Sequence, residues 1–184
     1  MLKKIGAEGI ISSKKEEIES AEKIILPGVG AFDNAVKNIR KLDLWEVLDK
    51  KVKKGTPTLG ICLGMQLLSK KSEEGVLEGF GWVNAETIRF RFNENGLKIP
   101  HMGWNTIKIE RSDGLLKNLK NPRFYFAHSY HLVCKNKKDI LATTNYGYDF
   151  VSVVKKNNIM GVQFHPEKSH KFGMQILKNF AEEI

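Results

Sequence analysis

Short apolar runs alternate with amphipathic stretches in the first 72 residues, and this alternation constrains the fold more than any other feature of the sequence. Residues 9–12 and 23–26 are predicted to form buried strands, and the second runs into the loop Pro27-Gly28-Val29-Gly30. Residues 56–61 predict a third strand, and residues 63–72 predict a helix. Strands that alternate with helices are typical of a parallel sheet covered by helices, so we expect an α/β fold.

Two amphipathic helices are predicted between the second and third of these strands. Their apolar residues are spaced as on one face of a helix. These residues are Phe32, Val36 and Ile39, followed by Leu44, Val47, Leu48 and Val52. Asp43 is expected to cap the second helix at its start, and Gly55 is expected to end it.

Short predicted strands dominate the second half of the chain. They cover residues 82–90, 106–110, 123–127, 140–144, 150–155 and 159–164. Apolar residues then recur at four-residue spacing and predict a closing amphipathic helix; they are Phe172, Ile176, Phe180 and Ile184. No repeat or linker interrupts the sequence, so one domain is expected over residues 1–184.

The composition of the sequence limits the kinds of protein that this chain can be. A chain of 184 residues with 41% hydrophobic residues can bury one sizeable core. It has neither an apolar leader nor a membrane-length apolar run, so we expect no secretory signal, no membrane span and a cytoplasmic location. The net charge of +9 comes mostly from lysines in scattered pairs such as Lys14-Lys15 and Lys70-Lys71. Because nucleic-acid surfaces cluster arginines and interleave aromatic residues, we expect no nucleic-acid partner.

The segment Gly60-Ile61-Cys62-Leu63-Gly64 lies between a predicted strand and a predicted helix. A nucleophile in such a turn has a strained backbone, and flanking glycines let substrate and neighbouring chain segments approach it. The N-terminus of a helix also favours the thiolate form of a cysteine. Taken by itself, the pattern fits an inert buried cysteine as well as a catalytic one. Cys134, on an extended segment, is expected to be structural.

A proton-transfer partner for Cys62 occurs late in the sequence, in Gly161-Val-Gln-Phe-His165-Pro166-Glu167. Pro166 keeps His165 extended, which places His165 and Glu167 on the same side of the chain. Glu167 can then accept a hydrogen bond from one ring nitrogen while the other faces the sulfur. The alternative is a strand-end histidine beside a solvated glutamate. Cys62 and His165 both follow predicted strands, whose carboxyl ends meet at one edge of a parallel sheet, and this favours catalysis.

Acyl chemistry also requires hydrogen-bond donors for the developing oxyanion. The N–H of Leu63, directly after Cys62, is one candidate, and the loop Gly28-Val29-Gly30 is another source. A phosphate site or a simple turn is the alternative for this loop, although it lacks the lysine and hydroxyl residue of a P-loop. We expect neither a metal nor a cofactor.

Three motifs together resemble the class I glutamine amidotransferase family: Pro27-Gly-Val-Gly-Ala-Phe32, Gly60-Ile-Cys-Leu-Gly-Met-Gln66 and Gly161-Val-Gln-Phe-His-Pro-Glu167. The resemblance covers nearly the whole chain and implies a flavodoxin-like α/β fold with a mostly parallel central sheet. It implies a Cys62–His165–Glu167 triad that hydrolyses L-glutamine to glutamate and ammonia through a thioester. The implied oxyanion hole comprises Val29, Gly30 and Leu63, and the implied glutamine contacts are Gly28, Gln66, Ser129 and Tyr130.

The segment Pro100-His101-Met102-Gly103-Trp104-Asn105 resembles one branch of this family, the glutaminase subunits of imidazole glycerol phosphate synthase. Such subunits form a heterodimer with a (β/α)8-barrel cyclase and pass ammonia to it in histidine biosynthesis. The resemblance implies that these residues contact the cyclase and transmit its ligand state to the glutaminase site. An exposed tryptophan suits an interface, and the alternative is an ordinary core aromatic residue.

Other functions stay open from the sequence. Similar relatives supply ammonia for the amidation of surface-polysaccharide sugars; a non-catalytic scaffold and a cysteine hydrolase that acts alone are further alternatives. Family members begin with a strand, a glycine-containing turn and a helix, and we expect this chain to lack that strand through a misplaced start or an N-terminal truncation. Its absence is expected to leave unpaired backbone groups in the centre of the sheet.

Overall fold

The computed structural model describes residues 1–92 and 96–184. Helices pack on a mixed β-sheet, which confirms the expected α/β class. The α-helices are α1 (Lys15–Ser20), α2 (Phe32–Lys41), α3 (Trp45–Lys53), α4 (Leu63–Gln66) and α5 (His170–Glu182). Short 3-10 turns cover Leu2–Ile5, Gly114–Leu116, Lys137–Asp139 and Pro166–Lys168. Among the described residues, no helix combines the length and apolar character that a membrane crossing requires.

Ten strands are present in the described part of the chain. They are β1 (Ile24–Gly28), β2 (Thr58–Cys62), β3 (Ala85–Arg89), β4 (His101–Thr106), β5 (Lys108–Ile109), β6 (Arg123–His128), β7 (Tyr130–Cys134), β8 (Ile140–Tyr146), β9 (Tyr148–Lys156) and β10 (Ile159–Val162). Eight of them form one sheet with the order β1-β2-β10-β9-β7-β3, in which β8 also pairs with β9 and β5. Strands β4 and β6 form a separate two-stranded sheet.

The parallel part of the sheet comprises β1, β2 and β10. Gly28 lies opposite Cys62, and Val162 lies opposite Ile61. Parallel strands therefore end together here, and the residues that follow them emerge at one edge of the sheet. The remaining pairs of the large sheet are antiparallel, so the sheet is mixed where the sequence predicted a mostly parallel one.

Alternating side chains of β2 and β10 contribute to apolar layers on the two faces of the sheet. Leu59 and Met160 belong to a cluster of buried residues that also contains Ile176 and Phe180 of α5. Ile159 belongs to a second cluster. That cluster includes Leu48 and Val52 of α3, together with Met65 and Leu68. The helical spacing of apolar residues in α3 and α5 thus predicts which helix faces are buried.

Several local predictions were wrong. Residues 9–12 form no strand, and Ile10 and Ile11 are 76% and 106% exposed, because no neighbouring strand pairs with them in the described structure. Unpaired backbone groups were expected in the centre of the sheet, but strand β1 pairs with β2 alone and lies at the edge of the described sheet. Asp43 does not cap α3: it has φ 54°, and the cap position is Leu44.

The helix predicted for residues 63–72 ends at Gln66. Tertiary hydrogen bonds explain this early end, because the N–H groups of Lys70 and Glu73 donate to carbonyls of β3. Strands β4 and β7 were not predicted. Their sequences lack a clear alternation of apolar and polar residues, so their pairing with other strands decides their conformation.

Candidate active site

Cys62 is the last residue of β2 and directly precedes α4. Its backbone has φ 53° and ψ −109°, a conformation that is unfavourable for a residue with a side chain. Such strain costs on the order of 1–3 kcal/mol and persists only where the surrounding structure enforces it. The structure therefore contains the strained strand-to-helix turn that the glycine pattern predicts.

Three glycines make this turn sterically possible. A Cβ on Gly64 would overlap the carbonyl oxygen of Leu26 in β1, and a Cβ on Gly60 would meet the backbone of Gly64. Gly28 lies just beneath the turn, where a Cβ would be 3.0 Å from the Cβ of Leu63. Backbone segments approach each other here at distances that a side chain forbids.

His165 and Glu167 lie beside Cys62. The Nδ1–H of His165 donates to Oε1 of Glu167 at 2.7 Å, as their spacing predicts. Hydrogen bonds with the sulfur of Cys62 and with Glu167 raise the pKa of His165 to about 9, so its ring is charged at neutral pH. Burial opposes ionisation of Glu167, but the hydrogen bond from His165 holds the pKa of this carboxyl below its usual value.

The predicted oxyanion donors lie at the same edge of the sheet. Leu63 is the first residue of α4, so its N–H has no acceptor within that helix. Val29 and Gly30 follow β1, whose last residue, Gly28, lies opposite Cys62. Gly30 has φ +100°, a conformation that favours glycine.

A cavity of about 340 Å³ opens next to the sulfur of Cys62. Most of the predicted site residues line it: Val29, Gly30, Cys62, Leu63, Gln66, Pro100, Met102, Ser129, Tyr130 and His165. Gly28 lines a neighbouring cavity instead, and Glu167 reaches the site through His165. A surface cavity of this size can hold a small molecule such as an amino acid.

Gln66 is almost fully buried, and its side-chain amide is held by two acceptors. Its Nε2 donates to the carbonyl oxygen of Tyr130 at 3.1 Å and to Oε1 of Gln163 at 3.3 Å. Nε2 of Gln163 in turn lies 3.7 Å from Sγ of Cys62. Polar contacts therefore connect the wall of the cavity with the sulfur.

A buried pair of histidines joins β4 to the same wall. His128 Nδ1 lies 2.7 Å from the carbonyl oxygen of Tyr130 and donates its proton there, since a carbonyl only accepts. Nε2 of His128 is then the acceptor for the Nδ1–H of His101 at 3.0 Å. Nε2 of His101 accepts from Asn105 at 3.2 Å. Burial lowers the pKa of His101 to about 4 and that of His128 to about 3, so both rings are neutral.

Of the other residues of the predicted interface segment, Met102, Gly103 and Trp104 lie on β4, and Pro100 and Met102 line the cavity. Met102 is 63% exposed and Trp104 is 44% exposed, whereas His101 is buried. Gly103 separates the two exposed side chains and has φ +125°. The guanidinium of Arg123 lies 5.6 Å from the ring of Trp104. The segment thus presents an apolar and aromatic surface next to the candidate site.

Sequence reasoning missed several residues at the site. Glu74, His128 and Lys168 line the cavity, and Gln163 lies behind it. The Glu74 carboxylate accepts a hydrogen bond from the N–H of Phe32 at 2.8 Å. Gln163 stood inside the Gly161–Glu167 motif and could have been singled out there, whereas nothing in the local sequence marks Glu74.

Comparison with known proteins assigns the family. The model of the family described as glutamine amidotransferase class-I matches residues 3–184. The chain belongs to this family. The resemblance that the sequence motifs indicated is therefore confirmed.

Two relatives of this amidotransferase match over almost its full length. The imidazole glycerol phosphate synthase subunit HisH 2 of Methanococcus maripaludis is 53% identical, with 100% of this chain and 91% of the relative covered. The protein of the same name from Pseudomonas aeruginosa is 48% identical, with 99% and 91% covered.

Solved structures show the same fold. A crystal structure of a glutamine amidotransferase matches with a TM-score of 0.74 at 22% identity, over 98% of this chain and 88% of that one. A glutamine amidotransferase from Thermotoga maritima matches with a TM-score of 0.60 at 19% identity, over 90% of this chain and 64% of that one. The class-I amidotransferase fold thus holds the turn of Cys62 and the segment of His165 in one site.

Substitution Gly64→Ala tests the close approach of α4 to β1. Because the added Cβ would overlap the carbonyl of Leu26, we expect a loss of about 1–3 kcal/mol or more in the free energy of unfolding and slower alkylation of Cys62. Urea unfolding and iodoacetamide labelling measure the two effects. Gly114→Ala is the matched control, since its nearest neighbours lie at 3.5 Å. Equal stability of the two variants would contradict this packing.

The buried histidines predict that the folded protein loses stability as the pH falls. His128 has a folded-state pKa of about 3 against the ordinary 6.5, so between these values only the unfolded chain takes up its proton. Stability should therefore fall as the pH falls from 6.5, by about 1.4 kcal/mol per pH unit for this one group. His165 does not oppose this, because its contribution is complete below pH 6.5 and is lost as the pH rises through about 9.

Urea unfolding of the wild type and of His128→Asn at several pH values measures the slope. The amide of asparagine can replace the Nδ1–H donor but does not titrate. We expect the variant to be less stable at neutral pH and to depend less on pH. Parallel pH dependences of the two proteins would show that His128 is not the group responsible.

Proposed function

We propose that this chain is the glutaminase subunit of an imidazole glycerol phosphate synthase. It hydrolyses L-glutamine and delivers the ammonia to a (β/α)8-barrel cyclase in histidine biosynthesis. The observation that carries the proposal is the full-length match to two subunits of that name, at 53% and 48% identity, in a chain that places His165 and Glu167 beside Cys62.

Catalysis begins with attack of the Cys62 sulfur on the side-chain carbonyl carbon of glutamine. The C=O electrons move onto oxygen, and the resulting oxyanion accepts hydrogen bonds from the N–H of Leu63 and from the Val29–Gly30 loop. Protonated His165 gives its proton to the amide nitrogen, the C–N bond breaks, and ammonia leaves a thioester on Cys62.

Hydrolysis of the thioester completes the cycle. Neutral His165 takes a proton from water, and the water oxygen attacks the thioester carbon. The C–S bond breaks and its electron pair stays on sulfur, the new carboxyl group releases its proton to solvent, and glutamate leaves; His165 keeps the proton that it took from water, so the starting state is restored. Glu167 accepts the hydrogen bond that orients the ring of His165 and stabilises its charge throughout.

Glutamine is proposed to bind in the cavity beside Cys62, with Gly28, Gln66, Ser129 and Tyr130 as its predicted contacts. The carboxylate of Glu74 lines the same cavity and suits the α-ammonium group of an amino acid. The thiol reaction itself needs no metal and no cofactor, since the sulfur, the imidazole and water supply every group that is transferred.

The proposed cyclase-binding surface is the segment Pro100–Asn105. Met102 and Trp104 are exposed on it, and Met102 also lines the cavity, so a partner seated here would lie next to the place where ammonia is released. Large exposed aromatic side chains are frequent energetic centres of protein interfaces. The position of His101, between Asn105 and His128, connects this surface with the wall of the cavity.

Glutamate release with and without a cognate cyclase tests the function. We expect strong stimulation by the cyclase with its substrate and a loss of about 10³-fold or more in Cys62→Ala, because the nucleophile is removed. Cys134→Ala is the control and should keep full activity, since burial raises the pKa of that thiol to about 12 and it lies outside the cavity lining.

Glutaminase activity that survives in Cys62→Ala would show that Cys62 is not the nucleophile. Stimulation by a sugar-modifying barrel protein but not by the histidine cyclase would support the surface-polysaccharide alternative. Full turnover without any partner would support a hydrolase that acts alone, and a stable complex without turnover would support a scaffold.

Trp104→Ala tests the docking surface. Loss of an exposed aromatic side chain that the cyclase would bury is expected to weaken binding of the cyclase by about 30-fold, which corresponds to about 2 kcal/mol. Isothermal titration calorimetry of the two proteins measures this change. Leu42→Ala removes a similarly exposed side chain at the end of α2 and should leave the affinity unchanged. Equal affinities of both variants would place the interface elsewhere.

A further inference from the structure

Gln163 directly follows β10 and is completely buried. Its side chain does not point to solvent or into an apolar layer: Nε2 lies 3.7 Å from Sγ of Cys62, and Oε1 lies 3.3 Å from Nε2 of Gln66. A buried amide is stable only when its polar atoms find partners. The proposed reaction described above does not use this residue.

The orientation of the Gln163 amide follows from its neighbours. The carbonyl oxygen of Tyr130 can only accept, so the atom of Gln66 that lies 3.1 Å from it is the donor Nε2. The same Nε2 faces the amide of Gln163, which must therefore present its oxygen there. The NH₂ group of Gln163 is left to face Cys62. The reverse orientation would place two NH₂ groups against each other.

Three groups surround the sulfur of Cys62, and they act on it differently. The carbonyl oxygen of Ala127 lies at 4.0 Å and can only accept. The ring of His165 donates while it is charged, and it must lose its proton during the reaction. The amide of Gln163 donates in every step, because it does not titrate. A hydrogen bond to an anion is stronger than one to a neutral group, so this donor favours the thiolate over the thiol.

We infer that Gln163 is a positioning residue for Cys62: its amide donates to the sulfur, holds it in place for attack and favours the thiolate. Gln66 acts on the sulfur only through Gln163: it orients the Gln163 amide between Tyr130 and Cys62. The inference rests on the proposed role of Cys62 as the nucleophile, but it requires neither glutamine nor a cyclase. It gives Gln66 a supporting role beside its predicted contact with substrate.

Alkylation of Cys62 by iodoacetamide tests the inference without substrate or partner. The Cys134→Ala background leaves Cys62 as the remaining cysteine of the chain. Rates are measured across the range in which protein thiols ionise, about pH 5 to 10. Gln163→Met replaces the amide by an apolar chain of similar size, and we expect the midpoint of the pH–rate profile to move up by about one unit, with about tenfold slower labelling below it.

Gln66→Met leaves Gln163 in place and removes the group that orients it, so we expect a smaller shift in the same direction. Ser152→Ala is the matched control. Ser152 is buried, its carbonyl accepts from the N–H of Gln163, and its hydroxyl has no partner among the described residues. Its profile should coincide with that of the background protein. An unchanged profile in Gln163→Met would overturn the inference, and an unchanged profile in Gln66→Met alone would remove only the supporting role of Gln66.

A measurement on the unmutated side chain covers the case in which Gln163→Met fails to fold. In the ¹⁵N-labelled Cys134→Ala protein, the side-chain amide signals of Gln163 should shift with pH at the midpoint found by alkylation, because the hydrogen bond strengthens as the thiolate forms. Signals that do not follow this midpoint would overturn the inference.

These outcomes are separable from failure of the proposed function. A chain without glutaminase activity would still show the displaced alkylation profile if Gln163 acts on the sulfur. Conversely, loss of glutaminase activity in Gln163→Met with an unchanged profile would leave the proposed function intact and reject the positioning role.

Discussion

The parallel pairing of β1, β2 and β10 is the constraint on which the site depends. Its register places Gly28 opposite Cys62, so the Val29–Gly30 loop and Cys62 leave the sheet at the same edge, and the segment after β10 brings His165 to that edge. Gly64 has no side chain, and this lets α4 approach β1 more closely than any other residue would allow. The strained backbone of Cys62 is the local cost of this geometry.

Neutral hydrogen-bonding groups connect the residues that line the cavity with one another and with β4. The carbonyl of Tyr130 accepts from both His128 and Gln66, and these two donors lead towards β4 and towards Cys62 respectively. Burial keeps the pKa of His128 near 3, so the histidine remains neutral and its hydrogen bonds keep one direction. A buried polar network whose members all have partners is rigid, whereas a charged or unpaired member would be costly. The exposed strand β4 and the sulfur therefore share one polar framework.

Prediction from sequence succeeded where the signal is local. The apolar spacing of α2, α3 and α5, and the glycines around Cys62, reflect steric and packing rules within a few residues. It failed where a distant partner decides the conformation. Residues 9–12 have strand-like composition but no neighbour to pair with in the described structure, whereas β4 and β7 have weak patterns and pair well. The antiparallel part of the sheet was not predicted for the same reason, since the direction of a strand depends on which segments of the chain pair with each other.

The same distinction between local signals and distant partners applies to the residues of the site. By itself, the sequence determined the strained turn at Cys62, the spacing of His165 and Glu167 and the family, because each depends on residue identity at short range. Only the tertiary structure decided that Glu74 faces the cavity, that His101 and His128 form a neutral pair, and that the amide of Gln163 points at Cys62. These residues are far apart in the chain and acquire their chemistry from burial and from partners that folding alone supplies.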